Sequence, residues 1–122
     1  MSIHVCVYLT ILVAPIPVRL QGSPRASVGR LEVWRNNMWG SVCNENFSIV
    51  AAHIVCKQLG YDQALDYTPG GYFGQSTGPI HMSNVTCTGN EAAITDCTFS
   101  TTHSCDHSQD IGIYCQGMYV HV

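Results

Sequence analysis

Charge is scarce in this chain. Asp, Glu, Lys and Arg make up 11% of its 122 residues, against about 25% in ordinary globular proteins, so solubility leans on Ser, Thr, Asn, Gln and Gly and on any attached sugar. The formal net charge of -3 and the pI near 6.0 argue against a nucleic-acid partner, which wants a strongly basic face. No apolar run approaches the roughly 20 residues that span a bilayer. There is no Gly-x-Ser-x-Gly elbow, no Gly-Lys-Ser/Thr phosphate loop and no dinucleotide fingerprint, so the common hydrolase and nucleotide signals are missing. Nothing repeats internally, and the length allows a single domain.

Cysteine is what the chain has. Cys6 lies in a short apolar stretch, Met1 to Ala14, that is too brief for a membrane span but long enough for the core of a secretory signal. Met1 to about Pro17 therefore reads as a signal peptide; an uncleaved anchor and an arbitrary start within a longer chain are the alternatives. Removal of the signal leaves six cysteines, Cys43, Cys56, Cys87, Cys97, Cys105 and Cys115, an even number that suits disulfides. Zinc is the competing use. Structural zinc sites draw ligands from tight Cys-x-x-Cys-like pairs, and none is present; His103, Cys105 and His107 crowd together instead. A bridge closing a loop near 60 residues would stabilise a small domain by about 4 kcal/mol on the chain-entropy account. Six cysteines allow 15 pairings, and spacing alone does not choose among them.

Apolar alternation predicts strands at Val18–Gln21 and Leu31–Trp34, with Leu31 and Val33 facing the core. Asn36-Asn37 predicts a tight left-handed turn into a partner strand, Met38 to Cys43. One helix is predicted from Ile49 to Leu59, with Ser48 as N-cap and Gly60 after the last turn. Ala52, Val55, Cys56 and Leu59 share its buried face, and His53 falls on the exposed side. Asp66 to Gly78 reads as a long loop of the kind that carries binding surface. Pro79 to Cys87 and Ile111 to Cys115 read as further strands, and Glu91 to Cys97 as a short turn or helix.

Other constellations bear on chemistry. Arg19, Arg25, Arg30 and Arg35 precede seven of the eight acids, which suggests a small basic patch or merely scattered solvated arginines. Ser100, His103, Ser104, Asp106, His107 and Asp110 have the composition of a catalytic triad. They share one polar run, however, whereas triads assemble from separate elements, so the run reads as a loop pinned by a disulfide. Asn46-Phe47-Ser48 and Asn84-Val85-Thr86 are acceptors for N-linked glycan. Tyr61, Tyr67, Tyr72 and Phe73 cluster around the Gly-rich loop. Tyr67 and Tyr72 with Arg30 and Arg35 are the candidate ligand contacts, because aromatic and Arg side chains are favoured anchors; the competing reading packs Phe73 and one Tyr under the loop.

The chain resembles the scavenger receptor cysteine-rich (SRCR) domain of the six-cysteine class. The likeness is carried by Val18-Arg19-Leu20, Gly29-Arg30-Leu31-Glu32-Val33, Trp39-Gly40-Ser41-Val42-Cys43, Val55-Cys56-Lys57-Gln58-Leu59-Gly60, Phe73-Gly74-Gln75 through Ile80, Val85-Thr86-Cys87 through Glu91, and Asp110 through Cys115. It covers residues 18–116, leaving 117–122 as a tail. The resemblance implies an α+β fold in which a curved, mainly antiparallel sheet of about six strands cradles one α-helix. It also implies the pairing Cys43–Cys105, Cys56–Cys115 and Cys87–Cys97. By the same likeness the chain is a non-catalytic module, secreted or on the extracellular face of the plasma membrane. Such modules serve macrophage receptors and secreted defence proteins and bind proteins, polyanions or microbial glycans. The alternative is an accessory domain of a larger secreted enzyme, lysyl-oxidase-like or a mosaic serine protease. Many such domains hold calcium with acidic residues. The matching positions here are Asn44, Glu45, Asn84 and Asp110, with Gln109 where the family often has Glu, so the acids are thinned. The competing reading makes Glu45 a solvated loop acid and Asp110 a structural hydrogen-bonder.

Overall fold

The computed structural model describes residues 16–117. The signal-peptide reading of Met1 to Pro17, Cys6 and the tail 117–122 fall almost wholly outside the described residues. The elements in chain order are β1 (Val18–Gln21), β2 (Val28–Arg35), β3 (Met38–Val42), α1 (Ile49–Gln58), β4 (Gln63–Thr68), β5 (Ile80–Thr86), β6 (Thr98–Ser100) and β7 (Gly112–Gln116), with 3-10 turns at Ile94–Asp96 and His107–Gln109.

All seven strands join one sheet in the order β4-β7-β2-β3-β5-β6, with β1 added on β2. One edge of β2 carries β1, Val18 opposite Val33 and Gln21 opposite Arg30. The other edge is shared, since Val28–Arg30 pair with β7 and Glu32–Arg35 with β3. Among the described residues only the β3–β5 ladder is parallel. The sheet is thus mainly antiparallel, as the resemblance implies.

The β2–β3 hairpin forms because Asn36 and Asn37 accept left-handed backbone, φ 55 and 64, which gives the turn the twist of its flanking strands. Leu31 and Val33 are fully buried, so the pleat points as the alternation demands. Glu32, between them, faces the other side and is nonetheless 3% exposed. Arg19 and Arg30 close over it, with N···O distances of 2.7 and 2.9 Å.

Ser48 holds the N-cap position of α1 in extended backbone, although its side chain makes no capping bond. It ends in a Schellman motif: the N–H of Gly60 donates to Lys57 O and that of Tyr61 to Cys56 O, while Gly60 takes φ 98. Ala51, Ala52, Ile54, Val55 and Cys56 are buried against the sheet. His53 departs from the expected exposed position. It is half-buried, and its Nδ1 accepts the backbone N–H of Ala64 at 2.9 Å, tying the helix to β4.

Strands β4 and β6 were not legible as strands. In β4 only Ala64 is buried, and the pairing with β7 bulges between Ala64 and Asp66, so period-2 alternation is lost. The expected loop Asp66 to Gly78 consequently begins at Pro69. Three bridges staple the fold. Cys43 bonds Cys105, Cys56 bonds Cys115 from helix to β7, and Cys87 bonds Cys97.

In the loop beyond Cys87, the Glu91 carboxylate accepts the N–H groups of Thr88 and Gly89 at 2.8 and 2.9 Å and the Thr88 hydroxyl at 3.1 Å. These bonds, the Thr88 backbone N–H foremost, hold its pKa down from 4.5 to about 2. A depressed carboxylate stabilises the fold above its unfolded value and loses that contribution as pH falls through the folded one. We therefore expect Glu91→Gln to reduce the acid destabilisation seen between pH 4.5 and about 2. Urea midpoints measured at several pH values check this; parallel curves for the two proteins would contradict it.

Candidate functional site

The site grows from the fork at which the edge of β2 passes from β7 to β3. Cys43 and Asp110 face each other there in an isolated antiparallel bridge. Around them Ile111 N–H donates to Val42 O, Leu31 N–H to Ile111 O and Asn44 N–H to Gln109 O, each at 2.9 Å. Asp110 is buried, with a fully covered side chain. Its Oδ2 accepts the Ser76 N–H at 2.8 Å, its carboxylate lies 3.0 Å from His107 Nδ1, and its backbone O accepts the Gly71 N–H at 2.9 Å. A buried carboxylate is tolerated only with such partners. Here they strap the loop 69–79 onto the sheet.

Arg30 adds a further strap, donating from its guanidinium to Phe73 O at 3.0 Å. The Phe73 ring lies so close to Gly112 that a Cβ there would meet it at 2.5 Å. The same ring meets Tyr114 edge-on at 5.5 Å. Tyr72 points the other way and is 71% exposed, its ring 5.0 Å from that of Phe73. A rigidly held loop thus displays one large aromatic side chain.

The triad-like composition does not become a triad. Ser41 Oγ is 3.4 Å from His107 Nδ1, the same nitrogen that faces Asp110. A nucleophile and an orienting acid must sit on opposite ring nitrogens, and Ser41 is fully buried. The run 103–110 instead forms a 3-10 turn closed by a capping box between Asp106 and Gln109 and pinned by the Cys43–Cys105 bond. The Ser108 hydroxyl, followed by its N–H, holds the Asp106 carboxyl below its ordinary value.

The positions matched to calcium ligands come together without forming an oxygen cage. Asn44 to Phe47 make one turn, closed by Phe47 N–H to Asn44 O at 3.1 Å. Asn44 Oδ1 accepts from Gln109 Nε2 at 3.4 Å, and Asn46 Nδ2 donates to Asn84 Oδ1. Glu45 is exposed while Asp110 points inward. Among the described residues, the metal-capable groupings are Cys43–Glu45–Cys105 and Cys87–Glu91–Cys97. In each the two sulfurs are bonded to each other, leaving one carboxylate apiece. Calcium takes six to eight oxygens with several carboxylates among them, so these residues do not fit it. Both glycan acceptors, Asn46 and Asn84, are exposed and lie side by side on this face.

The four candidate ligand contacts are not gathered into one surface. Arg30 and Arg35 are five residues apart on β2, so they lie on opposite faces and about 17 Å apart along the strand. Arg30 is spent on Glu32 and Phe73, and the Arg35 guanidinium stacks 5.2 Å from the Phe99 ring centre. Tyr67 packs on the core and edge-on to Phe47 at 5.6 Å. Of the four, Tyr72 alone is largely exposed.

Sequence reasoning missed a second aromatic surface. Trp34 and Met38, at the tip of the β2–β3 hairpin, are 43% and 47% exposed. Trp34 meets Trp39 edge-on at 5.3 Å, and Ile16, Pro17, Trp34 and Trp39 line an apolar groove of about 520 Å³. The signal was present, since Trp34 holds the solvent-facing register of a strand whose alternate residues are Leu31 and Val33.

A sheet wrapped on one helix, three disulfides and loops strapped to the sheet define a small disulfide-braced α+β module. The family model described as "Scavenger receptor cysteine-rich domain" matches residues 21–116, and the chain belongs to that family. The SRCR domain is itself a non-catalytic module. The chain is 44% identical over 106 residues to human lysyl oxidase homolog 2 and 40% identical over 101 residues to zebrafish (Danio rerio) lysyl oxidase homolog 2B, matching 84% and 80% of this chain. It spans only 14% and 13% of those proteins. Among solved structures, the third SRCR domain of murine neurotrypsin superposes with a TM-score of 0.76 at 42% identity, covering 81% of this chain and 94% of that one. The SRCR domain of mouse MARCO, solved in a dimeric form, gives 0.68 at 31% identity over 88% and 98%.

Proposed function

We propose that this chain is an extracellular recognition module, secreted or held at the outer face of the plasma membrane, that binds proteins, polyanions or microbial glycans. The observation that carries this reading is Tyr72, 71% exposed on a loop fastened at Gly71, Phe73 and Ser76. A contact residue that is already ordered loses little freedom on binding, and exposed Tyr is a favoured anchor. Three disulfides favour an oxidising compartment. No helix among the described residues is long and apolar enough to cross a membrane.

The test uses the oxidised domain against immobilised dextran sulfate, heparin and intact bacterial cells. Tyr72→Ala is expected to weaken capture about tenfold, since interface anchors are worth over 1 kcal/mol, with Tm unchanged within about 1 °C. No capture by any surface, or equal capture by the variant, would refute the reading. A second reading, a non-catalytic accessory domain of a larger secreted enzyme, is favoured by the 14% share of human lysyl oxidase homolog 2 that the chain matches. A transcript running past Val122 into a catalytic domain would decide for it.

A further inference from the structure

We propose that the face built from the Asn44–Phe47 turn, Asn84 and Gln109 is held together by neutral amides in place of a divalent cation, so that the module is indifferent to calcium. The argument rests on what each side chain is already doing. Gln109 is committed at both ends, its Oε1 accepting the Asp106 N–H at 3.1 Å and its Nε2 donating to Asn44 Oδ1. The same turn reaches Asn84 through Asn46. Two amide pairs therefore join chain segments 65 and 38 residues apart, which is the mechanical work a bound ion does when it draws carboxylates from separate loops.

The electrostatics point the same way. Carboxylates gathered on one spot repel one another, and a cation relieves that repulsion. On this face the nearby acids are Glu45, exposed and alone, and Asp106, whose carboxylate is turned to the hydroxyl and N–H of Ser108. Asp110, the remaining acid of the turn, spends its carboxylate on Ser76 and His107 inside the protein. With no cluster of free acids there is no repulsion for an ion to relieve.

Calcium chloride itself is the probe, so the outcome does not depend on which ligand the module captures. The secreted, oxidised domain is melted and titrated calorimetrically in EDTA and in about 5 mM calcium, above the roughly 0.1–1 mM dissociation constants of extracellular modules. The wild-type protein is expected to give no saturable heat and a Tm equal within about 1 °C in the two buffers. Asn44→Asp/Gln109→Glu places two carboxylates beside Glu45, and Glu at position 109 keeps an acceptor for the Asp106 N–H. This variant is expected to gain about 5 °C in calcium over EDTA, and Asn44→Asp alone a smaller gain. A saturable calcium response in the wild type overturns the proposal, and so does a double variant that folds but ignores calcium.

Discussion

Replacing Cys56 and Cys115 together by Ala is expected to lower the free energy of unfolding by about 4 kcal/mol. The bridge joins residues 59 apart in sequence and fastens α1 to β7, so its loss frees a long loop in the unfolded chain. Both sulfurs lie in the core, at 0% and 8% exposure, and their removal also leaves the helix–sheet contact loosely filled. Replacing Cys87 and Cys97, only 10 residues apart, should cost less, about 2.7 kcal/mol on the same account. Small domains are stable by only about 5–15 kcal/mol, so the first variant should also be secreted poorly. Urea denaturation of the two double variants gives the comparison. A larger loss from the short bridge would show that strain or packing, and not loop closure, sets the contribution of each disulfide.

Asp110→Ala is expected to cost about 3 kcal/mol, the scale for leaving buried hydrogen-bonding groups without partners. The Ser76 N–H and His107 Nδ1 both lose their acceptor, and the loop 69–79 loses one of its straps. Asp110→Asn keeps an oxygen for Ser76 and should cost about half as much. Chemical denaturation reads the total, while amide hydrogen exchange at Ser76 localises it. Fast exchange at Ser76 with the strand amides of β7 still protected is the expected pattern; unchanged protection at Ser76 would remove Asp110 from its role as the anchor of the loop.

Where the fold was legible, a short-range signal carried it. The β2–β3 hairpin follows from Leu31 and Val33 alternating with Arg30, Glu32 and Trp34 and from two asparagines that tolerate left-handed backbone. The end of α1 follows from Gly60. The surroundings of the candidate ligand contacts were far less legible, because Arg30, Arg35, Tyr67 and Tyr72 were chosen by residue type, and type does not say which side of a strand or loop a residue takes. Arg30 illustrates the point: its guanidinium binds an acid two residues away and a carbonyl 43 residues away. Only the first of these partners lies within local reach.

Periodicity and turn chemistry were enough to place the β2–β3 hairpin and one helix, because those signals act over a few residues, while the α+β fold and the disulfide pairing came from the resemblance to the SRCR domain, whose motifs are specific to one family. The inward turn of Asp110, the amide pairs on the Asn44 turn and the exposure of Tyr72 on a strapped loop all depend on segments tens of residues apart. They were decided when the sheet brought those segments into contact, since a side chain's exposure and partners are properties of the packed body and not of its neighbours in the chain.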